Sequence, residues 1–187
     1  FSLEFDADAM PPVPTPYEFN FESNPFTAEG WTREINGGGG WNWLPNDTAH
    51  PSESGSGLVG TFGTGVANET WLFSRGIQLE VGQVIDISYY VRAMIIAGNG
   101  GQQGLKVTIG NAATVAGQTT ELADYDNING QTYLGHTDTF TAPADGVYYV
   151  CFHNIAPAHT AANSSMLLLD TFSVTEGTAG VKDNVFS

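Results

Sequence analysis

The stretch VIDISYYVRAM, Val84 to Met94, sets Ile85, Ile87, Tyr89, Val91 and Ala93 at every second position, with Asp86, Ser88, Tyr90 and Arg92 between them. Successive side chains of a β-strand point to opposite faces, so this pattern builds a strand with one face in a core and the other in water. The same period recurs elsewhere. YEFNFE sets Tyr17, Phe19 and Phe21 against Glu18, Asn20 and Glu22, and GLKVTIG aligns Leu105, Val107 and Ile109. GVYYVCFHN, Gly146 to Asn154, is apolar on both faces, as a central strand is, and SMLLLDTFSV, Ser165 to Val174, closes the set. No segment repeats apolar residues at helical spacing over three turns, whereas 23 glycines supply turns. A parallel β-helix would also be glycine-rich, but no short repeat of fixed period is present. The expectation is an all-β chain folded as a two-sheet antiparallel β-sandwich.

Composition bounds the partners. At 187 residues the chain is long enough for one domain with a sizeable core plus tails. Four of the nine prolines fall within Pro11–Pro16, so residues 1–16 read as an extended N-terminal linker. Apolar periodicity ends after Val174, which predicts a domain over 17–175 and a second linker over 176–187. A start at Phe1 with no Met and no charged-then-apolar leader reads as a mature or excised fragment. No apolar run approaches the roughly 18 residues of a spanning helix, so membrane insertion is not expected.

Twenty acidic residues face five basic ones, for a formal net charge of −15. Arg33, Arg75, Arg92, Lys106 and Lys182 are scattered and form no stripe that could neutralise phosphates, which excludes nucleic acid as a partner. The same field repels anionic membranes and acidic polysaccharides unless a divalent cation intervenes, and it suits a salty or extracellular setting. Cys151 is the only cysteine, so no intramolecular disulfide forms. Within VYYVCFH it reads as a small buried residue.

One residue breaks the pattern. Counting by two along the last strand puts Asp170 in line with Met166, Leu168, Phe172 and Val174. A buried carboxylate needs a cation or strong donors, and no basic residue is nearby in sequence. Bound calcium is the economical solution in such oxygen-rich surroundings, with Glu22 as partner ligand; the alternative is a strand-end Asp170 that faces solvent or accepts backbone N–H bonds.

The order of these pieces resembles the cleaved-adhesin family and the related choice-of-anchor domains of secreted Bacteroidetes proteins, distant relatives of the MAM domain. The matching pieces are FNFES, the Gly30–Trp31 pair, WNW, SGSGLVG, ETWLFSRGIQL, ISYYVRA, GVYYVCFHN and LLLDTFSV. The resemblance implies a jelly-roll, galactose-binding-like β-sandwich that binds calcium structurally, with Glu22 and Asp170 at the ligand positions. Many such domains carry a second acidic residue where this chain has Thr171, and MAM domains carry Asp-His-Thr where it has Pro-Ser-Glu. The tail GTAGVKDNVFS looks like the linker before a type IX secretion sorting domain, which implies a secreted or outer-surface protein and the secretion machinery as a partner. Asp47–Ala49 fits the short motif at which Bacteroidetes attach O-glycans, so Thr48 is a candidate attachment site.

GWTREINGGGGWNW, Gly30 to Trp43, holds three of the four tryptophans. By the resemblance, Trp31, Trp43 and Trp71 pack between the sheets. Trp41 follows four glycines, and is either core or an exposed ring on which a sugar could stack. Tyr90 and Arg92 share one strand face, and Tyr149 and His153 share another; both pairs are candidate sugar contacts, or ordinary cross-strand neighbours.

Catalytic constellations are missing. His50, His136, His153 and His159 have no zinc spacing, and there is no G-x-S-x-G elbow. The glycine clusters lack the context of a phosphate loop. DYDNING, from Asp124, begins like a calcium loop, but Ile128 occupies the third ligand position and the segment reads as a turn. Two distant carboxylates could serve a glycan hydrolase, but no pair is singled out. The expectation is a calcium-stabilised, non-catalytic module that binds glycans, or else a spacer or adhesin domain that binds a surface protein.

Overall fold

The computed structural model describes residues 10–177, and in it twelve strands form two six-stranded sheets with every strand pairing antiparallel. One sheet contains β1 (Tyr17–Phe19), β3 (Asn42–Pro45), β4 (Gly57–Phe62), β7 (Val84–Ala97), β10 (Leu134–Thr141) and β12 (Ser164–Glu176), in the order β10-β7-β12-β4-β3 with β1 also on β12. The other contains β2 (Thr32–Gly37), β5 (Glu69–Phe73), β6 (Ile77–Leu79), β8 (Gln103–Gly110), β9 (Gln118–Ile128) and β11 (Gly146–Asn154), in the order β2-β5-β11-β8-β9 with β6 also on β11. This is the two-sheet sandwich expected from the alternation, in the jelly-roll form that the family resemblance implies. Each sheet has a long central strand whose one edge is divided between two short strands. Leu167–Leu169 of β12 pair with β4 and Phe172–Val174 with β1, while on β11 Cys151–Asn154 pair with β5 and Gly146–Tyr148 with β6.

The core forms where the inward positions of the sheets meet. Ile85, Ile87, Tyr89 and Val91 of β7 are buried in one cluster with Val107, Ile109, Val150 and Phe152 of the opposite sheet. Each such side chain contributes about 1.5–3 kcal/mol through burial. Aromatic rings bind the layers together: Phe152 lies 5.1 Å from Tyr89 and 5.9 Å from Phe172, which in turn meets Trp31 at 5.1 Å. A buried polar chain ties the sheets at one end. Asn68 Nδ2 donates to Asn154 Oδ1 (2.8 Å), Asn154 Nδ2 to Gln103 Oε1 (3.0 Å), and Gln103 Nε2 to the Ser165 carbonyl (2.9 Å). Each amide has a partner, so the network specifies a unique pairing instead of costing stability.

Three local expectations change. The first strand stops at Phe19, because Phe21 takes a left-handed φ of 56° that breaks the period, although its ring is fully buried. The proline stretch, expected as linker, lies against the domain where it is described: the Val13 N–H donates to the Gly76 carbonyl (2.9 Å) and the Gln78 N–H to the Val13 carbonyl (2.8 Å). Residues 1–9 and 178–187, with most of both expected linkers and the tail resemblance, lie outside the described residues. The third change is in β12. A bulge between Asp170 and Ser173, with Thr171 at φ 52°, shifts the alternation by one residue. Leu167, Leu169, Phe172 and Val174 face the core, whereas Met166 and Leu168 pack with Leu58 on the outward face of the same sheet. Asp170 shares that outward face and is not in line with Phe172 and Val174.

Candidate ligand site

Asp170 is fully buried, and its donors are main-chain amides. Its Oδ2 accepts the N–H groups of Glu53 (2.8 Å) and Ser54 (3.1 Å), and its Oδ1 accepts that of Thr171 (2.7 Å). Glu22 grips the same loop two residues on: Ser56 donates its N–H to Oε2 (2.8 Å) and its hydroxyl to the same oxygen (2.6 Å). Thr171 Oγ1 donates to Glu53 Oε2 (2.9 Å). Backbone donors, one of the two solutions the sequence allowed, are present around the carboxylate. Among the described residues no three carboxylate, imidazole or thiol groups stand close enough to hold a metal together. The donors do not fully compensate the charge, since burial pushes the Asp170 carboxyl up to about 6 against the lowering effect of the three amides. Asn20 Oδ1, two residues before Glu22, is buried without a partner.

The expected sugar contacts do not converge. Trp41 is fully buried in the core, its Nε1 donating to the Thr70 carbonyl (3.3 Å), so it offers no face to a ligand. The glycines explain this: a Cβ at Gly39 would come within 2.3 Å of the Phe62 carbonyl oxygen, so the backbone runs tight against β4 and carries the ring inward. Trp31 is core as expected, and Trp43 is partly buried with Nε1 donating to the Phe21 carbonyl (2.8 Å). Trp71 is not between the sheets. Leu72 takes the inward position of β5, so Trp71 and Phe73 point outward, where they cluster with Cys151. Cys151 is buried, as expected, and burial raises its thiol above the ordinary range.

Tyr90 and Arg92 lie on the outward face of one sheet, and Tyr149 and His153 on the outward face of the other, so the two pairs point away from each other. Tyr90 covers Gly135, where a Cβ would come within 2.9 Å of its ring, and the Arg92 guanidinium sits 5.5 Å from the Tyr133 ring centroid. His153 stacks on Trp71 at 4.2 Å and meets Glu69 at 3.1 Å; burial lowers its pKa and the Glu69 charge opposes that. Register places Glu34, Trp71, His153, Lys106 and Asp124 in one row across five strands. Lys106 is already engaged, at 2.6 Å from Asp124 and 3.4 Å from Glu121. Thr48 is exposed, in a turn held by the His50 N–H donating to Asp47 Oδ1 (2.7 Å).

A cavity opens elsewhere, at the edge of the sandwich between β9 and β10. It measures about 340 Å³ and is lined by Val91, Tyr125, Ile128, Leu134 and His136, with Asp126, Asn127, Asn129, Gly130 and Thr132 supplying polar groups. The segment DYDNING, expected to be a turn, is mostly strand. Asp124–Ile128 in fact belong to β9, and only the residues after them turn. The strand continues because Leu105 and Lys106 of β8 pair with Tyr125 and Asp124. Behind the cavity, Tyr89 Oη reaches out of the core to Asp138 Oδ2 (2.8 Å) and to Tyr125 Oη (3.1 Å). Its one proton goes to the carboxylate, so Tyr125 must donate to Tyr89 and keeps its own oxygen free to accept. Burial raises both phenols. His136 stacks on Tyr89 at 5.5 Å and tilts against Tyr125 at 4.5 Å; burial lowers its pKa, with Asp138 opposing, so it is neutral at pH 7. None of the sugar contacts expected from sequence lines this cavity. The available signal was Tyr125 among uncharged amides, in a segment too polar to stand out as a strand.

No protein-family model matches the chain, and no curated protein sequence matches it. Solved structures do. The K1 cleaved adhesin domain of Lys-gingipain from Porphyromonas gingivalis is similar with a TM-score of 0.66 at 15% identity, over 88% of this chain and 99% of that one. The CBM22-1 xylan-binding domain of Paenibacillus barcinonensis Xyn10C gives 0.52 at 20% identity, over 91% and 99%. TmCBM61, solved with β-1,4-galactotriose, gives 0.59 at 9% identity, over 84% and 94%. At these identities the likeness is one of fold: the chain is a cleaved-adhesin-like β-sandwich of the architecture that carbohydrate-binding modules also use.

Proposed function

We propose that this domain is a non-catalytic carbohydrate-binding module of a secreted or outer-surface protein, and that the cavity between β9 and β10 is where it holds sugar. The observation that carries the reading is the wall of that cavity. An aromatic ring whose phenol oxygen is free to accept, a neutral imidazole and exposed Asn127 and Asn129 amides are what a pyranose needs: a flat apolar surface ringed by donors and acceptors. Adhesin and carbohydrate-binding neighbours of the same fold support both the binding role and the location. Export through the type IX machinery belongs to the same reading and rests on the tail resemblance alone. The test is a glycan-array screen of the domain followed by calorimetry on hits. Binding that Tyr125→Ala weakens about tenfold supports the reading. A blank across neutral and acidic glycans, with folding confirmed, favours instead a protein-binding or spacer role, which the similarity to a cleaved adhesin domain supports.

Calcium is a separate proposal. Asp170 and Glu22 would supply its charged oxygens, and the under-compensated charge on Asp170 and the unpartnered Asn20 Oδ1 support it. Equal melting temperatures in calcium and in chelator, after tightly held metal is stripped, would refute it.

A further inference from the structure

Size, wall and charge together narrow the class of glycan, on the reading proposed above. We propose that the cavity between β9 and β10 takes one or two residues at the end of an uncharged oligosaccharide, and discriminates against chains that carry carboxylate or sulfate.

Size comes first. Ligand pockets run from about 300 to 1,000 Å³, so a cavity of about 340 Å³ is at the small end and suits a chain end better than a run of rings. The wall comes second. The turn that follows β9 lines the cavity through Asn129, Gly130 and Thr132, and it is tied down at two points. The Ala93 N–H donates to the Gly130 carbonyl (2.8 Å), and Tyr133 Oη donates to the Pro51 carbonyl (3.2 Å). These bonds fix the turn in place as the wall on that side of the cavity.

Charge comes third. Among the described residues no Lys or Arg lines the cavity, and its acidic and basic side chains are Asp126 and His136. Asp138 stands behind the wall, already accepting from Tyr89. Lys106, the basic residue on the neighbouring strand β8, is held by Asp124 and Glu121. An anionic sugar would meet an exposed carboxylate and the field of a chain of net charge −15, with none of the described Lys and Arg side chains on the cavity wall to receive it. A neutral ring meets the face of Tyr125, the free acceptor of its hydroxyl and the amides of Asn127 and Asn129.

The experiment is calorimetry and NMR titration of the full chain with neutral xylo- and galacto-oligosaccharides of two to six residues, and with galacturonic acid oligomers of the same lengths. The expected result is an affinity that changes less than about threefold between three and six residues, with shifts at Tyr125 and His136. Acidic oligomers should bind at least about tenfold more weakly at low salt, and the gap should narrow as salt is added. Asp126→Lys, an exposed change, should shrink that gap to about twofold or less, read as the ratio of neutral to acidic affinity within the same variant. Affinity that climbs steadily with chain length, with shifts on the outward sheet faces at Tyr90 or His153, would overturn the proposal. So would equal binding of neutral and acidic oligomers. Failure of every oligosaccharide would overturn the carbohydrate reading itself, a separate result.

Discussion

The tryptophan-rich corner around Gly37–Gly40 and the edge between β9 and β10 form an instructive pair. The first concentrates rings and glycines, and by composition it looks like a binding platform. Its rings are committed to the fold, with Trp31 and Trp41 buried and Trp43 bonded to the Phe21 carbonyl. The second is poor in rings, holds one on the cavity wall from each strand, and leaves the phenol oxygen of Tyr125 free to accept. Aromatic density in a sequence therefore marks where area is buried. A binding surface is marked by rings and polar groups that the fold has not used, and that accounting exists only in three dimensions.

The largest expected effect would break the comparison most directly. Trp41→Ala should cost about 4 kcal/mol through the cavity left in the core, a fall of roughly 10 °C in melting temperature for a domain of this size. Glycan affinity should be unchanged wherever the variant remains folded. A small stability loss with a loss of binding would reverse the roles assigned to the two regions.

Asp170→Ala comes next. It leaves the Glu53 and Ser54 amides without their acceptor, and it should cost about 2 kcal/mol, read by denaturant or thermal melts. Protease sensitivity gained within residues 46–56 would locate the effect in the loop that Asp170 and Glu22 hold.

The pH dependence of the metal-free protein sharpens the same point. The folded Asp170 carboxyl titrates near 6, above its ordinary value of 3.8. Between those values the folded state binds more protons than the unfolded state, so stability falls as pH rises through the window. The accumulated loss by pH 7 is about 3 kcal/mol at most. His136 works in the opposite direction, because a lowered folded pKa costs stability as pH falls; the Asp170 part is isolated as the difference between the parent and Asp170→Asn. Bound calcium should flatten the slope by stabilising the carboxylate. A slope identical in both proteins, with and without calcium, would remove Asp170 as its source.

The smallest effect on stability belongs to the edge. Tyr125→Ala should weaken glycan binding about tenfold while shifting the melting temperature by no more than about 3 °C. Tyr90→Ala, on an outward sheet face, should change neither by a measurable amount. If Tyr90→Ala and Tyr125→Ala were equally damaging to binding, the outward face would have to share the site.

How much could be read in the chain depended on burial. Strands β7, β8, β11 and β12 were legible because they lie inside their sheets, where one or both faces are apolar and the period of two is written in large side chains. Strands β9 and β10 are edge strands, solvated along much of their length, and QTTELADYDNI carries no alternation strong enough to separate it from a turn. The cavity lies between these two, so the least legible strands form the candidate site. Asp170 shows the complementary limit. Its misfit in an apolar run was visible, but the bulge at Thr171 moved it to the other face of its sheet, and a one-residue shift of that kind has no signature in composition.

The sequence by itself determined the all-β class and the two-sheet core, because hydrophobic periodicity is a sum over many residues and survives local exceptions. Only the tertiary structure decided which rings are buried, which amides hold Asp170 and which edge stays open. Those outcomes turn on single bulges, left-handed residues and strand order, and a few ångströms of backbone decide whether a polar group is used by the fold or left for a ligand.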